Sequence, residues 1–139
     1  MKKDFRTWHD KKEKLNDAKG KALFHEREVW WCALGANVGY EQDGSGELFT
    51  RPVVILTKFN LEVCLVVPLT AREKKGKYYF SVGKIGGRDA TAVLSQIRLV
   101  DRKRLAVKIC MLDRKVFNSL TKAVVKACFP HLPKSTKHK

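Results

Sequence analysis

GANVGYEQDG (residues 35–44) followed by RPVVIL (residues 51–56) decides how this chain is read. The first run is a polar loop punctuated by glycine; the second is an apolar strand with Arg51 at its mouth. Another apolar run, Val63 to Leu69, follows the turn-forming segment Phe59-Asn60-Leu61-Glu62. With Asn60 and Leu61 central to that turn, antiparallel pairing sets Arg51 opposite Thr70, with Cβ atoms within about 5.5 Å. A guanidinium and a hydroxyl then share one sheet edge, beside the loop 35–50 and the basic hairpin Arg72 to Lys77. A slip of one residue through a bulge is the disturbance to expect at a barrel rim.

Outward from this hairpin, residues 27–111 are rich in strands. Short runs of branched and aromatic residues span Val29 to Leu34, Pro52 to Thr57, Val63 to Leu69, Tyr78 to Val82, Ala92 to Leu94 and Leu105 to Leu112, with turn signals between them. Asp113 is the expected N-cap of a helix carrying Val116, Phe117, Leu120, Val124 and Ala127 on one face. Residues 1–24 are polar and lysine-rich, with Phe5, Trp8, Leu15 and Ala22 forming a broken helical stripe. The organisation expected is a basic helical extension (1–24), a barrel domain (25–128) and a flexible basic tail (129–139). Short antiparallel pieces closed by one helix suit a mainly β fold, a small barrel. Val53 and Ile55 point to one face of their strand while Val54 and Leu56 point to the other, so both faces need cover. A second copy of the chain would supply it, which predicts a homodimer; the alternative is cover by the chain's own helices.

Composition narrows the chemistry. The 139 residues include 29 Lys and Arg against 14 Asp and Glu, a formal charge of +15 that attracts nucleic acid. No apolar stretch is long enough to cross a bilayer and no secretory segment opens the sequence, so a cytoplasmic location without membrane contact is expected. Cys32, Cys64, Cys110 and Cys128 lie far apart in apolar runs and read as buried free thiols. The histidines sit singly, so neither a metal nor a cofactor is expected. The β-rich region holds no Ser/His/Asp set, no HExxH and no phosphate-cradling GxxxxGKT loop. RNA brings its own nucleophile, the 2′-hydroxyl, and Arg51 with Thr70 could orient it and stabilise charge on the phosphate. Lys74, Lys75, Lys77 and Arg72 are candidate phosphate contacts, with a solvated hairpin as the alternative. Trp30 and Trp31 alternate faces, so one belongs to the core and the other to an interface or to a stacked base.

The order GANVGYEQDG, RPVVIL, VVPLT (66–70) and LSQIRLVDRKRL (94–105) resembles the MazF/PemK family of toxin endoribonucleases from bacterial toxin–antitoxin pairs. The resemblance runs from about Trp30 to Val125. It implies an SH3-like β-barrel with a C-terminal helix, homodimeric, cutting single-stranded mRNA at short sequences without a metal. Products would carry a 2′,3′-cyclic phosphate and a 5′-hydroxyl. A cognate antitoxin would lay a disordered tail over the RNA groove, and DNA would be met only through that complex. On this resemblance the arginine of the RPV motif is Arg51 and the threonine ending the next strand is Thr70. The loop motif GxEQ falls on Gly39, Glu41 and Gln42, and we place Asn37 and Tyr40 with them as RNA-facing. The QIRxxD motif falls on Gln96, Ile97, Arg98 and Asp101, which makes Asp101 a third catalytic candidate; its alternative is an ion pair within its own basic segment. DGSGELFT (43–50) is longer than the family's compact loop, and the extension 1–24 has no counterpart in the minimal pattern. Two other functions fit the same scaffold: a nucleic-acid-binding barrel without catalysis, and a gyrase poison acting by protein contact.

Overall fold

The computed structural model describes residues 2–133. Helix α1 (Phe5–Asp17) leads into seven strands: β1 (Glu28–Ala33), β2 (Thr50–Lys58), β3 (Val63–Thr70), β4 (Tyr79–Ile85), β5 (Arg88–Val93), β6 (Arg98–Asp101) and β7 (Leu105–Met111). Helix α2 (Arg114–Cys128) ends the fold, and single 3-10 turns at Leu94–Gln96 and Arg102–Arg104 flank β6. All pairings are antiparallel, in the order β4-β5-β3-β2-β1-β7 with β6 also on β3, giving a mainly β half-barrel.

β3 is the pivot of this sheet. Val63 to Val66 pair with Asp101 to Arg98 of β6, whereas Leu69 and Thr70 pair with Ala92 and Thr91 of β5. Pro68 sits between the two partners, where a residue without an N–H costs the ladder least. On the other side of β3, Val53, Val54 and Ile55 face Pro68, Val67 and Val66. Continued two residues, that register sets Arg51 beside Thr70. The expected slip also occurs, away from the site: Leu56 is an extra residue, after which Thr57 faces Leu65.

The alternation in β2 and β3 builds two cores. Val54, Leu56, Val67 and Leu69 pack with Leu120 and Val124 of α2, while Val53, Ile55, Cys64 and Val66 pack with Phe24, Trp30 and Val100 inside the half-barrel. The second apolar face is therefore covered by α2 of the same chain. That corrects the argument from the sequence: the face itself requires no second copy. As expected, Asp113 caps α2, its carboxylate accepting from the Lys115 amide at 3.0 Å.

Several boundaries differ from expectation. α1 stops at Asp17, because Asn16, Asp17 and Gly20 favour caps and turns over helix, and Ala22 packs in the half-barrel core instead of on a helix. β6 escaped the sequence reading; its four residues are too few to show alternation. β5 starts at Arg88, before the expected Ala92: its first residues are polar and exposed next to the hairpin turn, where Gly86 and Gly87 both take positive φ, and so carry no apolar strand signal. Cys32 and Cys64 are fully buried, but Cys110 and Cys128 are only half-buried. Burial pushes the Cys32 thiol up to about 12 and the Cys64 thiol up to about 11, so neither supplies a thiolate nucleophile. From residue 134 the expected basic tail lies outside the described residues. No helix among the described residues is long and apolar enough to cross a membrane.

Candidate functional site

Arg51 enters β2 directly from the polar loop, and three loop and strand groups fix its guanidinium. Nε donates to the Asp43 carbonyl at 2.8 Å, and Nη1 donates to the Leu69 carbonyl at 3.3 Å. With its amide turned so that the oxygen faces the guanidinium, Gln42 accepts from Nε and Nη2, both at 3.1 Å. The arginine is thus aimed, with N–H groups on its terminal nitrogens to spare for an anion. Burial lowers its pKa; Asp43 opposes that and the Arg72 cation adds to it, and the guanidinium stays a cation near neutrality.

Thr70 closes the other side of the same cleft. Its hydroxyl oxygen accepts from the Arg72 amide at 3.2 Å, which leaves the hydroxyl proton available to a ligand. The cleft has a volume of about 420 Å³, and Trp31, Pro52, Ile85 and Ile109 give it apolar walls beside Arg51 and Thr70. A flat aromatic wall next to a guanidinium is suited to a nucleotide, base against ring and phosphate against cation.

A second hollow of about 380 Å³ is lined by Asn37, Glu41, Gln42, Gln96 and Arg98. Gln42 links the two: it lines this second hollow and its amide oxygen holds the Arg51 guanidinium of the first. Gln96 stitches the loop to the barrel: its oxygen accepts from the Gln42 amide at 2.9 Å and its nitrogen donates to the Tyr40 carbonyl at 3.0 Å. Asn37 works inside the loop, donating to the Leu34 and Gln42 carbonyls. The Glu41 carboxylate accepts from the Val38 amide, and the Tyr40 side chain is 90% exposed at the loop's tip. Arg98 donates to the Leu34 carbonyl at 3.5 Å. Arg72, Lys74, Lys75 and Lys77 lie exposed on the segment that leaves Thr70.

Asp101 does not join this group. It pairs with Val63, seven residues along β3 from Thr70, or about 23 Å at a strand's rise. Its carboxylate instead accepts from the Lys103 amide at 2.8 Å and caps the 3-10 turn Arg102–Arg104. The cleft has a carboxylate of its own in Asp89, which forms an ion pair with Lys84 at 3.5 Å. Arg88 and Asp89 line the cleft and were left unassigned by the sequence reading, whereas the alternation of Trp30 and Trp31 holds: Trp30 is core and Trp31 is exposed on the cleft wall. The only hint of Asp89 was its place just after the Gly86-Gly87 turn, and hairpin tips are seldom recognisable as site walls. Among the described residues, no three His, Cys, Asp or Glu side chains come together to hold a metal ion.

Gly44 is what lets the loop close over Arg51. Its amide donates to the Gly35 carbonyl at 2.8 Å, and a Cβ at this position would stand 1.7 Å from the Phe49 carbonyl oxygen. Backbone cannot give way as a flexible side chain can. Gly44→Ala is therefore expected to cost about 2 kcal/mol, read by equilibrium unfolding, and to open residues 35–50 to limited proteolysis first.

Comparison with known proteins agrees with this fold. The sequence model of the PemK-like, MazF-like toxins of type II toxin–antitoxin systems matches residues 25–128. The chain belongs to that family. Searching curated proteins by sequence gives no significant match. Solved structures with the same fold include an endoribonuclease in complex with its cognate antitoxin from a mycobacterial species. It is 14% identical, with TM-score 0.60, covering 80% of this chain and 100% of that one. The Mycobacterium tuberculosis toxin MazF-mt6 is 18% identical, with TM-score 0.58, covering 73% of this chain and 96% of that one. MazF from Deinococcus radiodurans is 15% identical, with TM-score 0.61, covering 78% and 98%. At these identities the likeness is one of fold. In this MazF/PemK-family chain, helix α1 precedes the matched segment, and RPVVIL and GANVGYEQDG both fall inside it.

Proposed function

We propose that this MazF/PemK-family chain is an endoribonuclease that cuts single-stranded mRNA by attack of the RNA's own 2′-hydroxyl, and that a cognate antitoxin restrains it. One observation carries the reading: Arg51 and Thr70 line the same cleft, with the arginine held from behind by Asp43, Leu69 and Gln42. Simple binding of a basic barrel to RNA needs no such aimed pair.

In the reaction the 2′-oxygen gives up its proton and forms a bond to phosphorus as the bond from phosphorus to the 5′-oxygen breaks, and the 5′-oxygen gains a proton. The products are a 2′,3′-cyclic phosphate and a 5′-hydroxyl, and no co-reactant is consumed. Arg51 is the group that holds the non-bridging oxygens as charge builds on them; Thr70 donates to the same centre. Asp89, the carboxylate on the cleft wall, is the residue we assign as proton acceptor, and Asp101 takes no part. The hollow formed by Asn37, Glu41, Gln42, Gln96 and Arg98 offers amide donors and acceptors to the edge of an unstacked neighbouring base. Arg72, Lys74, Lys75 and Lys77 track the backbone on the far side of Thr70.

The same reading includes a homodimer. β7 closes one end of the strand order; Val107, paired with the exposed Trp31, and Met111, further along the strand, are both exposed on it. The antitoxin would compete with RNA for the basic groove, and DNA would be reached only in its company. The test is to incubate purified protein with a long mRNA in excess EDTA. The expected result is a limited set of fragments ending in cyclic phosphate; intact RNA would contradict the proposal.

A further inference from the structure

Residues 3–17 precede the segment shared with the family, yet they hold the loop that aims Arg51. The Lys3 side chain is only 9% exposed. Its ammonium donates to the Asn37 carbonyl at 2.7 Å and the Gly39 carbonyl at 2.8 Å, and it pairs with the Asp43 carboxylate at 3.0 Å. A buried ammonium is tolerated only when its donors are satisfied, so this lysine's position is specified by the loop and the loop's by the lysine. Five residues on, Trp8 is buried beneath Gly35, where a Cβ would stand 2.1 Å from the indole. The same ring lies 5.5 Å from that of Phe49, which takes a left-handed φ of 54°. A left-handed aromatic persists only where its surroundings over-determine it.

The other end of α1 is tied to the barrel. Lys103 donates through Nζ to the Asn16 carbonyl at 2.7 Å, a cation on the helix C-terminus, and Asp101 caps the turn that carries Lys103. α1 thus runs from a fixed point on the barrel to the loop. Asp43 completes the connection, because its carboxylate takes Lys3 while its carbonyl accepts from Arg51.

We propose that α1 and the residues before it form a built-in brace for the loop 35–50, and that Lys3 is a positioning residue acting on Arg51 through Asp43. The effect on cleavage rests on the nuclease reading above; the effect on the loop does not. Lys3→Met keeps the apolar stem and removes the charge. Two measurements on the full chain separate the two claims. In hydrogen exchange, the loop amides of Asn37, Gln42 and Gly44 should exchange at least about tenfold faster in Lys3→Met, with the β2–β3 ladder unchanged. In steady-state cleavage of mRNA, kcat should fall about tenfold or more with KM moving much less, and Lys3→Arg should recover most of the loss.

Unchanged loop exchange would overturn the brace outright. A loosened loop with wild-type kcat would overturn the positioning role of Lys3. If the loop loosens while the wild-type protein cuts no RNA, the brace is supported and the nuclease reading is the one that fails.

Discussion

Arg51→Ala is expected to lower RNA cleavage by about 10²–10³-fold while leaving the fold intact. The guanidinium is the only cation that the β2–β3 hairpin aims into the cleft among the described residues, and its contacts to Asp43, Leu69 and Gln42 keep it there before substrate arrives. Preorganised donors of this kind act on charge that develops in the transition state, so kcat should carry the loss. Arg51→Lys should recover little, because an ammonium cannot reproduce a fork fixed on three sides. Circular dichroism and melting temperature close to wild type would show that the loss is chemical. Cleavage by Arg51→Ala at the wild-type rate would remove the basis for the proposed mechanism.

Glu28→Ala is expected to give a large loss of stability, about 3 kcal/mol, with a fall of about 10 °C in melting temperature. Glu28 is 3% exposed at the start of β1. Its carboxylate accepts from the His25 amide at 2.8 Å and the Trp30 indole at 2.9 Å, and pairs with the Lys108 ammonium at 3.0 Å. Alanine would leave the indole and the amide without acceptors where little water reaches them. Burial by itself pushes the carboxyl pKa up, but the Trp30, His25 and Lys108 donors outweigh it and hold it below its ordinary value of 4.5. The sign follows: a carboxyl with a depressed folded pKa stabilises above its unfolded value, and that contribution is lost as the pH falls through the folded one. The stability gap between wild type and Glu28→Gln should therefore be full at pH 7 and shrink below about pH 4. Thermal unfolding across that range checks it, and a gap that does not change with pH would be inconsistent with an ionised Glu28 at this position.

How far the sequence went depended on whether each signal was local. The placement of Arg51 beside Thr70 came from one turn and the period of two strands, and it survived because the bulge at Leu56 lies on the turn side of the pairs that count. Asp113 and α2 were legible for the same reason, a cap followed by a clean apolar face. The cover of the second apolar face was not legible, since nothing in RPVVIL says whether α2 or another copy lies across it. Asp101 shows the limit of motif transfer: the residue type fits, but β6 delivers it to the far end of β3, where it caps a turn. Lys3 was invisible among neighbouring lysines. Only the fold brings it to Asp43, forty residues away in sequence.

The central claim is that the nucleophile belongs to the RNA and that the cleft of Arg51 and Thr70 serves it. The most direct measurement is cleavage, in EDTA, of an RNA oligonucleotide containing the mapped cut site, compared with the same oligonucleotide carrying a single deoxyribose 5′ to the scissile phosphate. The account predicts that the all-ribose strand is cut to a cyclic phosphate and a 5′-hydroxyl and that the single deoxyribose abolishes cutting at that bond. Cutting of the deoxyribose strand at the same position and rate would contradict it.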